Sequence, residues 1–456
     1  MTDAQPNKKS GLLIIVFLTL FIDLIGFSIS FPLYPAMLDF YISKGAGEGT
    51  LLGALLSFLR SLAPSEESAD FLSTVLFGGT LASIYSLLQF IFAPIWGRLS
   101  DRIGRRPVLI GTLMGTIFGY GLWIFADAFA VLLLSRIITG ITGGNLSVAT
   151  ASIADVTTTK TRTKGIALVG VAFGLGFILG PAIGGFSGKI NLLAEHPEWA
   201  QYGINPFSVP AMVACALACC NLFWVFKRFR ETLDPEHRNQ TSEERSIFSR
   251  FFGIFSIPNA QVRFTGCINF LYILSSSGME FSVTFLAVER LGFTPAENGM
   301  MFFYMGVIMI LAQGVFVRRL SAYIPEKFLV VIGLSCSLTA FFTLSQASEL
   351  LFFGVGLTFL AMGAGLTSPC MTALASLYTT PEKQGEYLGI FRSTGSLARA
   401  FGPTIGALAY FYFGSHSAYV FGGCFLLIPF SMVFSLPRPK LHIDIKNQEL
   451  APEPLE

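Results

Sequence analysis

Only 13% of the 456 residues are charged, about half the share of an ordinary soluble domain. So little charge cannot cover a water-facing surface, and a soluble globule is excluded. Cysteine is sparse and uninformative. All seven (Cys215, Cys219, Cys220, Cys267, Cys336, Cys370, Cys424) fall inside apolar runs and none forms a CxxC with a partner loop. Neither a disulfide framework nor a metal site is indicated. Cys215 and Cys219 share a helix face, where small apolar packing is the leading reading. No GxxxxGK[ST] loop occurs, so ATP hydrolysis is not expected to drive the protein, and no cofactor is expected. A net charge of +2 is too small to suggest a nucleic-acid partner.

Apolar residues are what the chain has, 53% of the total, with Phe and Gly at 46 each. Phe suits lipid-facing bulk and Gly suits close helix packing. Apolar stretches between Gly, Pro and charge clusters give spans near 12–37, 73–97, 107–127, 128–154, 163–187 and 207–227, then 262–288, 297–320, 326–345, 349–378, 384–411 and 416–436. Each is long enough to cross a bilayer. The first follows Lys8 and Lys9 and lacks a small-residue cleavage site, so it is a span and not a removable signal. The expected fold is therefore all-α, with twelve transmembrane helices in two six-helix bundles, 1–227 and 262–440. A linker at 228–261 and a tail at 441–456 complete the chain.

Positive charge sets the expected orientation, because Lys and Arg collect in cytoplasmic loops. With both termini inside, 23 of the 30 Lys and Arg lie on the cytoplasmic side and four (Lys44, Arg60, Lys189, Arg290) outside. The linker segment Glu231 to Glu244 holds five acids and cannot bury much apolar surface. Ile247, Phe248, Phe251, Phe252 and Phe255, with Arg250, form a basic amphipathic stretch expected on the inner membrane surface. Leu51, Leu55, Phe58 and Leu62 suggest a second interfacial helix outside.

A charged side chain at mid-membrane costs about 2.5 to 3.5 kcal/mol on insertion scales, so each one needs a function or a partner. Asp23 stands near the middle of the first span and is the leading candidate for a proton-binding carboxylate, with Arg136 of the fourth span as its partner. Glu280 and Arg399 are the second-half counterparts, and either pair together or turn separately to a cavity. Gln89, Asn145, Asn269 and Gln313 are uncharged polar residues inside spans. They are candidates for the substrate cavity, although helix-to-helix hydrogen bonds are the commoner use of such residues.

Five motifs follow in order. Gly97-Arg98-Leu99-Ser100-Asp101-Arg102-Ile103-Gly104-Arg105-Arg106-Pro107 forms a tight turn of alternating charge between the second and third spans. The first span carries Asp23, Gly26, Pro32 and Pro35. The fourth carries Arg136, Gly140, Gly143 and Gly144, ending at Asp155. The fifth carries Gly176, Gly180, Pro181, Gly184 and Gly185, and Gly402-Pro403 is similar in the eleventh. Together these resemble the major facilitator superfamily, and within it the drug:proton antiporters related to tetracycline efflux proteins.

The resemblance implies a proton-coupled exporter of amphipathic small molecules. Asp23, Arg136 and Glu280 would couple protons, while Gln89, Asn145, Asn269, Gln313 and Arg399 would face the cavity. Gly97, Asp101, Arg102, Gly104, Arg105, Asp155, Gly176, Gly180, Pro181 and Gly184 would serve gating. Its partners would be a small molecule, protons and the lipid bilayer, with the chain acting as a monomer in a bacterial inner membrane or plasma membrane. A metabolite or lipid transporter of the same fold is the alternative, and a non-transporting receptor a third. The sequence departs from the pattern at Arg318 to Tyr323, between spans eight and nine. That turn lacks the acid and glycines of the first-half turn. The outer loop from Leu38 to Asp70 is also longer than tetracycline exporters lead one to expect.

Overall fold

The computed structural model describes residues 6–44, 50–61, 69–157, 159–233, 257–320, 323–379 and 384–437. The linker stretch from Ile247 to Phe255 lies outside them. The described residues contain helices and turns without strands. Eleven helical segments are long and apolar enough to cross a membrane. The last, Thr394–Phe434, runs 41 residues and reverses at Gly414, whose φ of 75° favours glycine. It therefore supplies two spans, and the total is twelve.

The first span is split. α1 (Pro6–Ser28) is followed by a 3-10 turn at Phe31–Leu33 and then α2 (Tyr34–Ser43), because Pro32 and Pro35 remove two backbone donors. α3 (Leu51–Ser61) occupies the loop expected to hold an interfacial helix. It buries Leu52 and Leu56 while Leu51 and Phe58 remain exposed. α4 (Ala69–Ile103) and α5 (Arg105–Ile124) form spans two and three.

The fourth span is also split, into α6 (Phe129–Thr142) and α7 (Asn145–Val156), at the Gly143-Gly144 pair. α8 (Thr159–Ser187) runs unbroken through Pro181. After the short α9 (Leu192–Glu195), α10 (Ser208–Arg228) closes the first half. The second half comprises α11 (Ala260–Leu291), α12 (Pro295–Leu311), α13 (Glu326–Gln346), α14 (Leu350–Leu377) and α15 (Gln384–Phe434). α12 does not continue as a regular helix to 320, because Ala312–Val317 winds as a π-helix before a last turn at Arg318–Leu320.

The halves meet along two helix pairs, α4 with α15 and α8 with α12. Glycine sets the distance. A Cβ added to Gly185 would lie 2.5 Å from the Gly299 Cα, and one on Gly299 would lie 2.8 Å from the Gly185 Cα. On the other pair Gly79 packs against Ala407, and the Ser83 and Thr404 hydroxyls share a hydrogen bond. These contacts sit toward the membrane face opposite the chain ends. On that side the bundles are closed against each other.

Candidate functional site

Asp23 lies five residues before the end of α1 and keeps some accessible surface. The helices around it are brought close by small residues. The Tyr120 hydroxyl of α5 lies over Gly26, 2.5 Å from where a Cβ would stand. Tyr85 of α4 stacks on Phe27 with ring centroids 4.1 Å apart, and its hydroxyl rests on Gly143. From α7, the Asn145 amide faces the Asp23 carboxyl. Neither amide atom of Asn145 makes a hydrogen bond among the described residues, Asp23 included.

The break that brings Asn145 there leaves backbone carbonyls at membrane depth, where each unpaired one would cost several kcal/mol. α4 satisfies them. Gln89 Nε2 donates to the Gly143 carbonyl at 2.8 Å, and Trp96 Nε1 donates to the Ile141 carbonyl at 2.7 Å. In return Ser147 Oγ donates to the Ala93 carbonyl at 2.6 Å. The Gln89 amide N–H is thus used in helix packing.

Arg136 is 1% exposed, and it is not the ion-pair partner of Asp23. Its guanidinium lies over the Trp123 ring at 4.2 Å, with Nε and Nη2 making no hydrogen bond among the described residues. Tyr85 and Tyr120 lie within electrostatic reach of both charges. The ring face attracts a desolvated cation by about 2 kcal/mol, which explains how the charge is tolerated without a carboxylate in contact.

In the second half, Glu280 of α11 and Arg399 of α15 lie within electrostatic reach of one another, and Tyr272 completes the group. Glycine again permits it. A Cβ on Gly278 would stand 2.7 Å from the Gly402 carbonyl, so α11 and α15 approach at the level of these charges. The Tyr272 hydroxyl sits among Ser276, Ser337 and Thr367. Asn269 is only 3% exposed and packs near Gly395, between the same two helices. Its amide is set against the packing of these helices. Gln313 lies in the π-helical turn, its amide nitrogen 3.9 Å from the Cβ position of Gly174 across the bundle interface.

The charged turn after the second span is shorter than its sequence suggests. α4 continues through Gly97 to Ile103, α5 starts at Arg105, and Gly104 alone reverses the chain, with φ 108°. Arg105 is the hub. Its Nη1 meets Asp101 at 2.5 Å and the Ser100 hydroxyl at 2.7 Å, while Nε meets Asp155 at 3.0 Å. Arg102 points outward.

Two further members were not singled out in the sequence. The Glu231 carboxylate accepts the backbone N–H groups of Arg105 at 2.8 Å and Arg106 at 3.1 Å, capping α5. Thr232 Oγ1 donates to Asp155 at 2.9 Å. The start of the linker is thereby tied to the turn. The signal in the sequence was an acid directly after Arg228 and Arg230 at the end of the sixth span, the first of the five in the linker segment.

The fifth-span motif faces two ways. Gly176 packs on Leu24, Gly180 on Ser28 and Gly184 on Ile29, all in the first span, whereas the Pro181 and Ala182 carbonyls approach Gly299 across the interface. One helix therefore joins the Asp23 helix to the other bundle.

The sequence profile of the Major Facilitator Superfamily matches residues 16–391 and 265–455. Major facilitator superfamily domain-containing protein 10 from Bos taurus is 33% identical over 462 residues, covering 95% of each chain. The class B tetracycline resistance protein of Escherichia coli is 29% identical over 391 residues, covering 84% of this chain and 88% of its own. Among solved structures, the human organic anion transporter MFSD10 (TETRAN) superposes with a TM-score of 0.72 at 30% identity, covering 94% of this chain and 100% of that one. A D-xylose–proton symporter shares the fold at 16% identity, with a TM-score of 0.66. A profile that runs through both bundles, and relatives matched nearly end to end, make this chain a member of the Major Facilitator Superfamily and a multi-pass membrane transporter.

Proposed function

We propose that the protein exchanges an amphipathic small organic molecule for protons, moving the substrate out of the cytoplasm by alternating access. The observation that carries this reading is the division of buried charge. Among the described residues Asp23 makes no ion pair in its bundle, and Glu280 with Arg399 stands in the other. A carboxylate that gains and loses a proton as its access to water alternates is the simplest use of the first, and recognition of a charged substrate is the simplest use of the second. The bundles 1–227 and 262–440 would rock about the α4–α15 and α8–α12 contacts. With both termini and the 228–261 linker in the cytoplasm, the closure described above belongs to an inward-facing state.

The relatives frame the substrate class, being tetracycline resistance proteins on one side and an organic anion transporter on the other. Arg399 favours a carboxylate-bearing compound, because a cation at that depth attracts an anion from substrate as readily as from Glu280. Purified protein in proteoliposomes with an imposed pH difference tests the reading. Accumulation of an organic anion that is lost in Asp23→Asn and weakened in Arg399→Gln is expected. Undiminished pH-driven accumulation by Asp23→Asn would overturn the proton role. A preference for cations that survives Arg399→Gln and disappears in Glu280→Gln would reverse the charge assignment.

A further inference from the structure

At the membrane face that carries the chain ends, α5 begins beside the end of α10, and the two helices pack against each other. Arg106 stands in the first turn of α5 and Lys227 in the last turn of α10. Both lie within one turn of a helix end, at headgroup depth. Arg106 Nη2 donates to the Phe226 carbonyl at 2.7 Å, and the guanidinium lies 5.7 Å from the centre of the Phe226 ring. The Lys227 ammonium lies 4.4 Å from the centre of the Phe223 ring. Phe223 and Phe226 are three residues apart and so neighbours on the helix surface. They are 58% and 60% exposed, and present apolar surface to the bilayer. Two cations thus sit on two adjacent rings.

Among the described residues no carboxylate forms an ion pair with either side chain. Glu231 reaches this corner, but its oxygens accept the backbone N–H groups of Arg105, Arg106, Thr232 and Leu233. Arg228 and Arg230 are exposed and add positive charge. A lone cation at this depth would ordinarily extend its stem toward water. Arg106 does not, because a carbonyl and a ring hold its guanidinium at the helix junction.

We propose that the junction of α5 and α10 binds an anionic phospholipid, with its phosphodiester between Arg106 and Lys227 and its acyl chains along Phe223 and Phe226. A guanidinium offers phosphate oxygens a planar fork and an ammonium offers a point charge. Basic pockets between membrane helices at this depth suit anionic headgroups, and each cation adds to the attraction. The bound lipid joins the third span to the sixth beside the turn built on Arg105. The inference needs only that this edge lies in a bilayer, and it is independent of the proposed exchange.

The test counts bound lipid and needs no transport substrate. Full-length protein, stripped of lipid in detergent, is titrated with phosphatidylglycerol and separately with phosphatidylcholine, and bound lipids are resolved by native mass spectrometry. Phosphatidylglycerol is expected to bind more tightly at the first site. Arg106→Gln and Lys227→Gln should each weaken that preference by about fivefold, the worth of one cation near a membrane surface. Arg319→Gln, which removes an exposed charge at the same membrane face of the other bundle, should leave it unchanged. Equal binding of the two lipids would overturn the inference. So would a loss in Arg319→Gln as large as that in Lys227→Gln, since it would mark diffuse surface attraction. Inorganic phosphate at the lipid's concentration should not compete, and full competition would assign the site to a free anion instead of a lipid. Should Arg106→Gln not fold, Lys227→Gln and Phe223→Leu, which removes the ring beneath the ammonium, carry the test. A wild-type preference in both would overturn the inference.

Discussion

The turn joining spans two and three and the turn joining spans eight and nine occupy equivalent places in the two halves, yet they are built on different physics. The first reverses on Gly104 alone and is closed by a ring of charge in which Arg105 meets Asp101, Ser100 and Asp155 while Glu231 caps the helix that follows. The second lacks the acid and the glycines. Its approach loosens into a π-helix at Ala312–Val317, and Arg319 projects outward. The two bundles therefore differ at this edge, one closed by a ring of charge and the other approached through a π-helical turn.

Arg105→Ala should break this contrast most severely. It leaves the half-buried Asp155 and the Ser100 hydroxyl without their partner, and a loss of about 3 kcal/mol is expected, the lower end for a buried pair. Arg319→Ala should change stability by no more than about 0.5 kcal/mol. Thermal unfolding of both variants in the same detergent measures the difference, and equal effects would remove the asymmetry.

Next comes Gly104→Ala. With φ 108° and ψ 156° the position is one that essentially only glycine adopts, and strain of about 1 to 3 kcal/mol is expected. Gly314, in the π-helical turn, has nothing within 4 Å of its Cβ position. Gly314→Ala should be neutral or stabilising by up to about 1 kcal/mol, so the two glycine substitutions should move the melting temperature in opposite directions.

Glu231→Gln keeps the shape of the cap and removes its charge. A loss of about 0.3 to 1 kcal/mol is expected, and it should fade in high salt. Proteolysis of the linker should rise with it, since the Glu231 carboxylate also accepts the Thr232 and Leu233 N–H groups. Asp101→Asn should cost least, at most about 1 kcal/mol, because its side chain is 43% exposed. Its clearer signature is conformational. Cysteine accessibility from the two membrane faces should shift toward the inward-open state, and an unchanged pattern would count against a gating role.

How much of this was legible in the sequence depended on the range of the force involved. Span count followed from hydropathy because a bilayer demands about 20 apolar residues per crossing wherever they occur. The split at Pro32 and Pro35 was not anticipated, although its cause, two missing backbone donors, is local. The break at Gly143-Gly144 was no more legible, since tandem glycine weakens a helix without obliging it to stop. Gln89 and Trp96, which make that break affordable in hydrocarbon, lie some fifty residues away. Which neighbour would use Gln89 and Asn269 was not legible, because polarity in a span says nothing about the helix packed beside it; the structure gives the Gln89 amide N–H to the Gly143 carbonyl and sets Asn269 beside Gly395.

The sequence alone determined an all-helical membrane chain of twelve spans with a handful of charges deep inside. It could do so because hydrophobicity and backbone chemistry act residue by residue. Only the tertiary structure decided the partners of those charges. Arg136 lies on Trp123 and not against Asp23, Glu231 caps a helix begun over a hundred residues earlier, and the break that starts α7 at Asn145 is held by another span. In a bilayer nothing but another helix can satisfy a polar group at depth, so the meaning of each buried charge waits on which helices pack beside it.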